Sequence, residues 1–304
     1  MSERRTLPPA VAVSTVAFAL TPPAGAALDS SMSRGSDSTS LWIPLVRRTR
    51  APFHGMWALP GGPTRWDETL AGTALRTLHD AVLRAPGYLE QLYSFGGVER
   101  SAQAQRLVTI AYWALYGEGD LAADPVVAPA SEKSGAQVGR WDDPSGDPAQ
   151  LPGADRAEPD SNVAWFSADH LPELAFDHGD IVAYALSRLR SKTEYSTVAH
   201  RFLGREFTLA QLRQVHEAVR GQTVDPANFR RQALAQGYLV DTGERETGTH
   251  YRPARLYRFA AEVDPSAGTP DALFPQQATQ TQAPQNQAPQ NQASPNQSSS
   301  RSRP

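Results

Sequence analysis

The sequence predicts a mixed α/β domain followed by a smaller domain with a winged-helix fold. The first observation is that β-forming runs alternate with amphipathic helical patterns up to about residue 195. The second is that two helix patterns and a hairpin pattern follow one another between residues 200 and 260, as in a winged helix. The chain has 304 residues, which is long enough for two domains with substantial cores.

Apolar runs predict the strands of the first domain, at residues 11–18, 41–49, 91–98 and 106–116 and from residue 163 onward. The run at 106–116 is typical of a central strand because it is apolar almost throughout. Pro44 interrupts the second run and predicts an edge strand or a bulge. The first run follows a basic start and has the form of a signal peptide, but its β-forming residues favour the first strand of a cytoplasmic protein.

Two helices are predicted in this domain, over residues 67–84 and 179–192. In the first helix, one apolar stripe is expected to face the core: Leu70, Ala74, Leu75, Leu78 and Val82. The segments 21–40 and 117–161 are predicted to be irregular insertions, since they are polar and lack periodicity. We place the limits of the first domain at residues 8–195.

The second domain, over residues 200–260, shows clear signals for the ends of its helices. Thr208 is a suitable N-cap for a helix whose apolar residues share one side: Leu209, Leu212, Val215 and Val219. Asp225 and Pro226 begin a second helix, which Gly237 ends. Residues 238–259 then predict two strands around a glycine-rich hairpin tip.

Composition narrows the classes of function. The net charge is only -3, but residues 201–259 carry ten arginines against six acidic side chains, so the second domain is locally basic. The chain has no cysteine, which excludes disulfides, thiol nucleophiles and zinc held by cysteine. No apolar run reaches the ~18 residues that a membrane span needs, so no membrane partner is expected. The Gln-, Asn-, Pro- and Ser-rich residues 261–304 predict a disordered tail.

The segment "GGPTRWDETLAGTALRTLHDAV" has the form of a catalytic motif that lacks most of its catalytic residues. It resembles the Nudix box, G-x5-E-x7-R-E-U-x-E-E-x-G-U, where U is a bulky aliphatic residue. The matching residues are Gly62, Glu68, Arg76 and Leu78. The departures are Thr77, Asp80 and Ala81 in place of glutamates, Leu83 in place of glycine and Arg84 in place of an aliphatic residue.

In active Nudix enzymes the helix glutamates hold a divalent metal against a pyrophosphate, because hard oxygen ligands neutralise phosphates and activate water. With Thr77 and Ala81 at two of these positions, too few carboxylates remain for that chemistry. We therefore expect no catalytic residues, no metal site, no required cofactor and no enzyme activity.

A broader resemblance covers about residues 10–260. The segments "PFHGMWALPGG", "LPELAFDH", "FTLAQLRQVHEAV", "NFRR" and "RPARLYRF" occur in the order found in the Nudix-related transcriptional regulators of NAD metabolism, to which the chain is similar. The resemblance implies a Nudix-like α/β/α sandwich with a mixed sheet, followed by a winged helix-turn-helix domain. It also implies that the first domain senses ADP-ribose or a related nucleotide, and that a homodimer binds palindromic operator DNA as a repressor or activator, of which we favour the repressor.

Several residues are candidates for contacts with the nucleotide. Arginines can pair with phosphates, a glycine turn can present backbone N–H groups to a diphosphate, and a tryptophan can stack on a base. The candidates are Arg47, Arg48, Trp57, Gly61, Gly62, Glu68, Arg76, Arg100 and His178. Structural roles stay open for them: core packing for Trp57, ion pairs for the arginines and a hydrogen bond for His178. Strand alternation predicts that Arg47 and Arg48 point to opposite faces.

The candidates for DNA contacts follow from helix geometry. At 100° per residue, Phe229, Ala233 and Gly237 share the side expected to face the core, while Asn228 and Arg231 project from the other side. Asparagine can pair with adenine and arginine with guanine in the major groove. The full set of candidates is Thr208, Gln211, Asn228, Arg230, Arg231, Arg252 and Arg255, of which the first two and the last two are expected to contact phosphates.

Two other functions stay open at this point. One is an active Nudix hydrolase that acts on ADP-ribose and carries the winged helix as an accessory domain. The other is a regulator of a different pathway, such as sugar catabolism, that uses the same two domains with a different ligand.

Overall fold

A computed structural model describes residues 9–28, 40–98, 100, 106–122, 162–195, 197–247 and 253–260. The predictions for the tail at 261–304, for most of both insertions and for Arg252 therefore lie outside the described residues. The strands are β1 (Ala10–Ala19), β2 (Trp42–Arg47), β3 (Trp57–Ala58), β4 (Gly61–Pro63), β5 (Tyr88–Phe95), β6 (Leu107–Tyr116), β7 (Val163–Ser167), β8 (Phe207–Thr208), β9 (Leu239–Arg245) and β10 (Arg255–Phe259). The helices are α1 (Leu70–Val82), α2 (Glu118–Ala122), α3 (His178–Tyr195), α4 (Leu209–Arg220) and α5 (Pro226–Ala235), with a 3₁₀ segment at Thr197–Phe202.

The first domain is built on a mixed seven-stranded sheet. Its main path is β3-β2-β1-β6-β5, with β4 paired to β1 and β7 paired to β2. Strand β1 runs parallel to β6 along its whole length and antiparallel to β2 and β4. The predictions of a first strand at 11–18 and a central strand at 106–116 are confirmed.

Helices cover both faces of this sheet. Alternate residues of β1 face opposite sides: Val13 and Ala17 pack with α1, whereas Val16 and Phe18 pack with α3. Strand β6 alternates in the same way, so each helix covers apolar side chains from both strands. The predicted α/β/α sandwich with a mixed sheet is confirmed.

Pro44 lies in a strand that has neighbours on both sides, so the predicted edge position is wrong. It faces Trp165 of β7 in an unbroken register, and the Trp165 N–H donates to the Ala27 carbonyl (2.8 Å), away from β2. On the other side, β2 pairs with β1 at Trp42 and with β3 only from Val46 onward. Pro44 therefore occupies a gap in the pairing, where no N–H is required.

Helix α1 differs in two respects from its prediction. It begins after the N-cap Thr69 and ends at Val82, inside the expected range 67–84. Leu75 is 37% exposed, so it does not belong to the buried stripe. The buried arc of the helix is centred near Ala74 and includes Thr73 and Thr77, which places Leu75 just outside it.

The segment after β6 begins with a short helix, α2, where an irregular insertion was predicted from residue 117. The Asp120 carboxylate accepts hydrogen bonds from the N–H groups of Gly117 (2.8 Å) and Gly87 (3.0 Å). These contacts fix the start of α2 to the residue that precedes β5. No helix in the described part of the chain is long and apolar enough to cross a membrane.

The second domain has the predicted winged-helix elements, α4, α5 and the three-stranded sheet β8-β10-β9. Thr208 and Gln211 form a reciprocal capping box at the start of α4. Asp225 caps α5, and Gly237 follows it with a φ of 74° in the left-handed region. The predictions of both helices and of the hairpin strands are confirmed.

The winged helix packs directly against the first domain. Val215, Ala218 and Val219 of α4 belong to the same apolar core as the buried face of α3. The Arg190 guanidinium of α3 donates to the Val219 carbonyl (2.9 Å), near the C-terminal end of α4. Helix α3 therefore contacts both the sheet and the winged helix.

Candidate functional site

The eight-residue spacing between Glu68 and Arg76 in the Nudix-like box brings the two side chains together in an ion pair. The Arg76 guanidinium binds both carboxylate oxygens of Glu68, at 2.7 Å and 2.9 Å. The Thr73 hydroxyl donates to the same carboxylate (2.8 Å). The hydrogen bonds from Arg76 lower the pKa of the Glu68 carboxyl to about 2. Glu68 thus joins the turn after β4 to the face of α1.

The helix positions that hold metal in a Nudix box do not fit a metal in this chain. Thr77 is 1% exposed, and its hydroxyl donates to the carbonyls of Thr73 (2.9 Å) and Ala74 (3.1 Å). Asp80 lies 3.9 Å from Arg76, and burial raises the pKa of its carboxyl. Ala81 has no ligand atom, and no group of three or more acidic or histidine side chains could hold a metal within the described residues.

The two glycines of the box have different surroundings. Gly61 pairs with Ser14 of β1, and a Cβ at residue 61 would lie 2.3 Å from the Val13 carbonyl oxygen. Only glycine permits that approach. Nothing lies within 4 Å of the corresponding point at Gly62, which leaves space beside the backbone.

Arg47 and Arg48 both contact the loop between β2 and β3. The Arg47 guanidinium donates to the Gly55 carbonyl (3.1 Å) and the Arg48 guanidinium to the Pro52 carbonyl (2.9 Å). The prediction that they point to opposite faces assumed a continuing strand, but β2 ends at Arg47. Arg48 also lies 4.7 Å from the centre of the Phe176 ring.

Two exposed phenylalanines, which sequence reasoning missed, lie beside Arg48. The rings of Phe53 and Phe176 meet edge to face with centroids 4.7 Å apart, and both residues have a positive φ. Their only sequence signal was membership of the family-like segments "PFHGMW" and "LAFDH".

Arg100 and His178 lie at the start of α3. Arg100 forms a close ion pair with Asp177 and donates to the Phe95 carbonyl (2.6 Å). His178 is buried, and its Nδ1 accepts a hydrogen bond from the Leu59 N–H (3.0 Å). Burial lowers the pKa of the imidazole to about 4; the nearby Asp177 carboxylate opposes this shift, and Arg100 and Arg48 add smaller lowering effects.

The candidates therefore fall into two groups. Arg48, Arg100 and His178 lie in one region, where both arginines contribute to lowering the pKa of His178, while Glu68, just before α1, and Arg76 on α1 form a separate pair. Trp57 is partly buried against Phe166, with ring centroids 4.9 Å apart.

In the second domain, α5 presents its arginines to solvent. Phe229 and Ala233 are buried, as predicted, whereas Arg230 and Arg231 are exposed. The prediction that Gly237 faces the core is wrong: α5 ends at Ala235, so Gly237 lies beyond the helix and is exposed. The Arg231 guanidinium donates to the Asn228 side-chain oxygen (2.8 Å). The two side chains predicted to read bases thus lie together near the start of the helix.

The other DNA candidates have more local partners. Thr208 is buried and its hydroxyl belongs to the capping box with Gln211, so it serves the helix. Arg255 is exposed on β10 and pairs with Asp241 of β9 (2.6 Å). A hydrogen bond from the Gly243 N–H, and then the bond from Arg255, lower the pKa of the Asp241 carboxyl.

Fold and site together define a two-domain protein: a Nudix-like domain whose box keeps an ion pair without the metal ligands, and a winged helix with an arginine-bearing second helix. Residues 199–259 match the family described as the NrtR DNA-binding winged helix domain. The ADPR-responsive transcriptional repressor NtrR of Acinetobacter baylyi is 28% identical over 230 residues, which cover 74% of this chain and 78% of that protein.

Solved structures are similar over most of the chain. Shewanella oneidensis NrtR in complex with a 27mer DNA has 29% identity and a TM-score of 0.57, covering 83% of this chain and 94% of that chain. Without DNA it has 30% identity and a TM-score of 0.55, covering 83% and 95%. A MutT/nudix family protein from Enterococcus faecalis shares the fold at 22% identity and a TM-score of 0.51, covering 84% and 89%. The chain belongs to the NrtR family of Nudix-related transcriptional regulators.

Proposed function

We propose that this protein is a transcriptional repressor of NAD-metabolism genes, and that ADP-ribose or a related nucleotide modulates its binding to operator DNA. Membership of the NrtR family supports the regulator, and the Shewanella oneidensis complex with DNA supports the nucleic-acid partner. The Acinetobacter baylyi relative is named as ADPR-responsive, which supports the effector.

The observation that carries this proposal is the exposed, N-terminal half of α5. Arg231 is exposed and lies in hydrogen-bond contact with Asn228, which puts a guanidinium and an amide side by side. Such a pair suits the edges of guanine and adenine in a major groove. Arg230 on the flank, Gln211, Arg252, and Arg255 on the wing are proposed to contact phosphates, which fix the position of the domain without reading sequence.

The Nudix-like domain is proposed to bind the nucleotide without cleaving it. Arg47, Arg48 and Arg100 supply positive charge, Gly61 and Gly62 supply a close backbone approach, and Trp57 supplies an aromatic side chain. Thr77 and Ala81 leave the box without ligands for the metal that hydrolysis needs. We propose that binding needs no metal and no further cofactor.

The active form is proposed to be a cytoplasmic homodimer on a palindromic operator. One winged helix makes few phosphate contacts, and two copies related by a two-fold axis double them. We propose residues 8–195 and 200–260 as the limits of the two domains.

A DNA-shift assay on the upstream region of the gene tests the function, with and without ADP-ribose. We expect a specific shift that ADP-ribose changes by about 5–150-fold in affinity, as for an allosteric coupling of about 1–3 kcal/mol. AMP release from ADP-ribose with Mg²⁺ or Mn²⁺ is measured in parallel. Turnover at rates of about 1 per second or more would instead identify a hydrolase.

A further inference from the structure

Helix α3 carries three exposed side chains in a row on its outward side. Asp180, Tyr184 and Arg188 are four residues apart and therefore lie along one line of the helix. The opposite side of the helix is buried against the sheet: Ile181, Val182, Ala185 and Leu189. The row thus points away from the core, with an acid at one end, a base at the other and an aromatic ring between them.

The row lies beside exposed aromatic side chains of β5. Tyr93 is 53% exposed and Tyr184 is 43% exposed, and their ring centroids are 5.2 Å apart. Phe95 completes the group, with its ring 6.0 Å from Tyr184. Strand β5 ends the path of the sheet and pairs with β6 alone among the described strands. We call Tyr93, Phe95, Asp180, Tyr184 and Arg188 the α3 surface.

The charges at the two ends of the row form no side-chain contact among the described residues, and the charge of Arg188 acts only at longer range, lowering the pKa of Tyr88 slightly against the larger effect of burial. Within the described residues, the structure shows no ion pair or side-chain hydrogen bond for Asp180 or Arg188. By contrast, Asp177, just before the helix, and Lys192 within it each pair with an opposite charge. A contiguous aromatic patch flanked by charged side chains without an ion pair among the described residues is typical of a protein–protein contact.

We propose that the α3 surface is the two-fold interface of the homodimer, an inference that rests on the dimer of the proposed function. A two-fold axis through Tyr184 and perpendicular to α3 places the second α3 antiparallel to the first. Asp180 then faces Arg188 of the second copy, and the reverse pair forms as well. The order acid, ring, base along the row is complementary to itself under this symmetry, which favours a second copy over an unrelated partner.

This interface also lies between the two functional regions. Helix α3 begins beside the Arg100–Asp177 pair, where Arg100 is a proposed nucleotide contact, and it contacts α4 through Arg190 near its other end. A nucleotide that changes the angle between two paired α3 helices therefore changes the spacing of the two winged helices.

Sedimentation equilibrium of the full chain, without DNA or nucleotide, tests the interface. The variants Asp180→Arg and Arg188→Asp each replace two attractive contacts by two repulsive ones, and we expect each to raise the dimer dissociation constant by about tenfold or more. The variant Glu118→Arg makes the same charge change on an exposed residue of α2 and is expected to dimerise as the wild type does.

Mixing the two interface variants gives the sharpest outcome. D180R and R188D are complementary to each other, so we expect a 1:1 mixture to form a heterodimer although each variant alone is largely monomeric. Circular dichroism confirms that each variant is folded, and Tyr184→Ala provides a further variant without a charge change. Wild-type dimers that D180R, R188D and Y184A all leave intact would overturn the inference and leave the proposed function standing. A monomeric wild-type protein would contradict both this interface and the homodimer of the proposed function.

Discussion

Helices α1 and α5 use their charged residues in opposite ways. On α1, Arg76 is bound to Glu68 and lies near Asp80, so its charge is satisfied within the domain. On α5, Arg230 and Arg231 are exposed, and the side-chain contact shown for Arg231 is a neutral amide. The first helix resembles a catalytic element but serves the fold, whereas the second keeps its guanidinium groups available to a partner.

The ends of the two helices differ as well. Both are followed by a residue in the left-handed region, Leu83 with a φ of 59° after α1 and Gly237 with a φ of 74° after α5. The Nudix pattern has glycine at the position of Leu83. Helix α1 thus ends in the geometry of the box although the residue that favours this geometry is absent, and the domain tolerates the strain.

The largest expected effect is that of Thr77→Glu, which tests whether α1 still has room for a metal ligand. Because this position is 1% exposed and packed against the helix backbone, we expect a loss of about 3–5 kcal/mol in the free energy of unfolding. Urea unfolding at pH 7 measures it. Thr77→Ala, which adds no charge, is the control and should cost about 1 kcal/mol. A stable Thr77→Glu variant that binds Mg²⁺ would show that this side of α1 still has room for a metal ligand.

The next effect concerns the Glu68–Arg76 pair. Glu68→Gln removes a charge-assisted bidentate contact, and we expect a loss of about 1–3 kcal/mol in unfolding free energy at pH 7. The folded-state pKa of about 2 lies below the ordinary value of 4.5, so this stabilisation is present above pH 4.5 and is lost as the pH falls toward 2. The unfolding free energies of the wild type and of Glu68→Gln should therefore approach each other as the pH falls through that range. Glu173→Gln, an exposed acid away from the box, should show no such convergence.

On the other helix, Arg231→Ala should act on DNA binding and leave stability nearly unchanged. We expect a loss of about 1–3 kcal/mol in operator affinity and a relaxed preference at one base pair in each half-site. Competition binding to operator variants measures both. Arg255→Ala on the wing is the matched comparison, because it should weaken binding to all DNA sequences alike and make the affinity less dependent on salt concentration. Unchanged affinity and preference in Arg231→Ala would mean that α5 is not the reading helix.

The smallest effect compares the two helix ends directly. Gly237→Ala should destabilise the protein by about 1 kcal/mol through its positive φ, since no atom lies within 4 Å of the added methyl group. At the end of α1, Leu83→Gly should be more stable than Leu83→Ala by about 1 kcal/mol, because both remove the side chain and only glycine relieves the backbone. Thermal unfolding of the three variants measures the differences. Equal melting temperatures for the two Leu83 variants would show that this residue carries no strain.

The locally encoded parts of the fold could be predicted from the sequence. The N-cap Thr208, the cap Asp225 and the stop at Gly237 were read correctly, because a cap depends on residues three or four positions away. Strands β1 and β6 could be predicted for the same reason, because the alternation of side chains between the two faces of a strand is a local pattern.

The sequence by itself therefore determined the order of the elements, the ends of the helices and the loss of the box carboxylates at Thr77 and Ala81. Only the tertiary structure decided which charges meet, as in the Arg100–Asp177 pair and in the hydrogen bond from Leu59 to His178, whose partners are 77 and 119 residues apart. Such contacts depend on which distant segments of the chain the tertiary fold brings together. Periodicity and capping depend on residues within a single turn or strand, so they contain no information about contacts between residues that are far apart in the sequence.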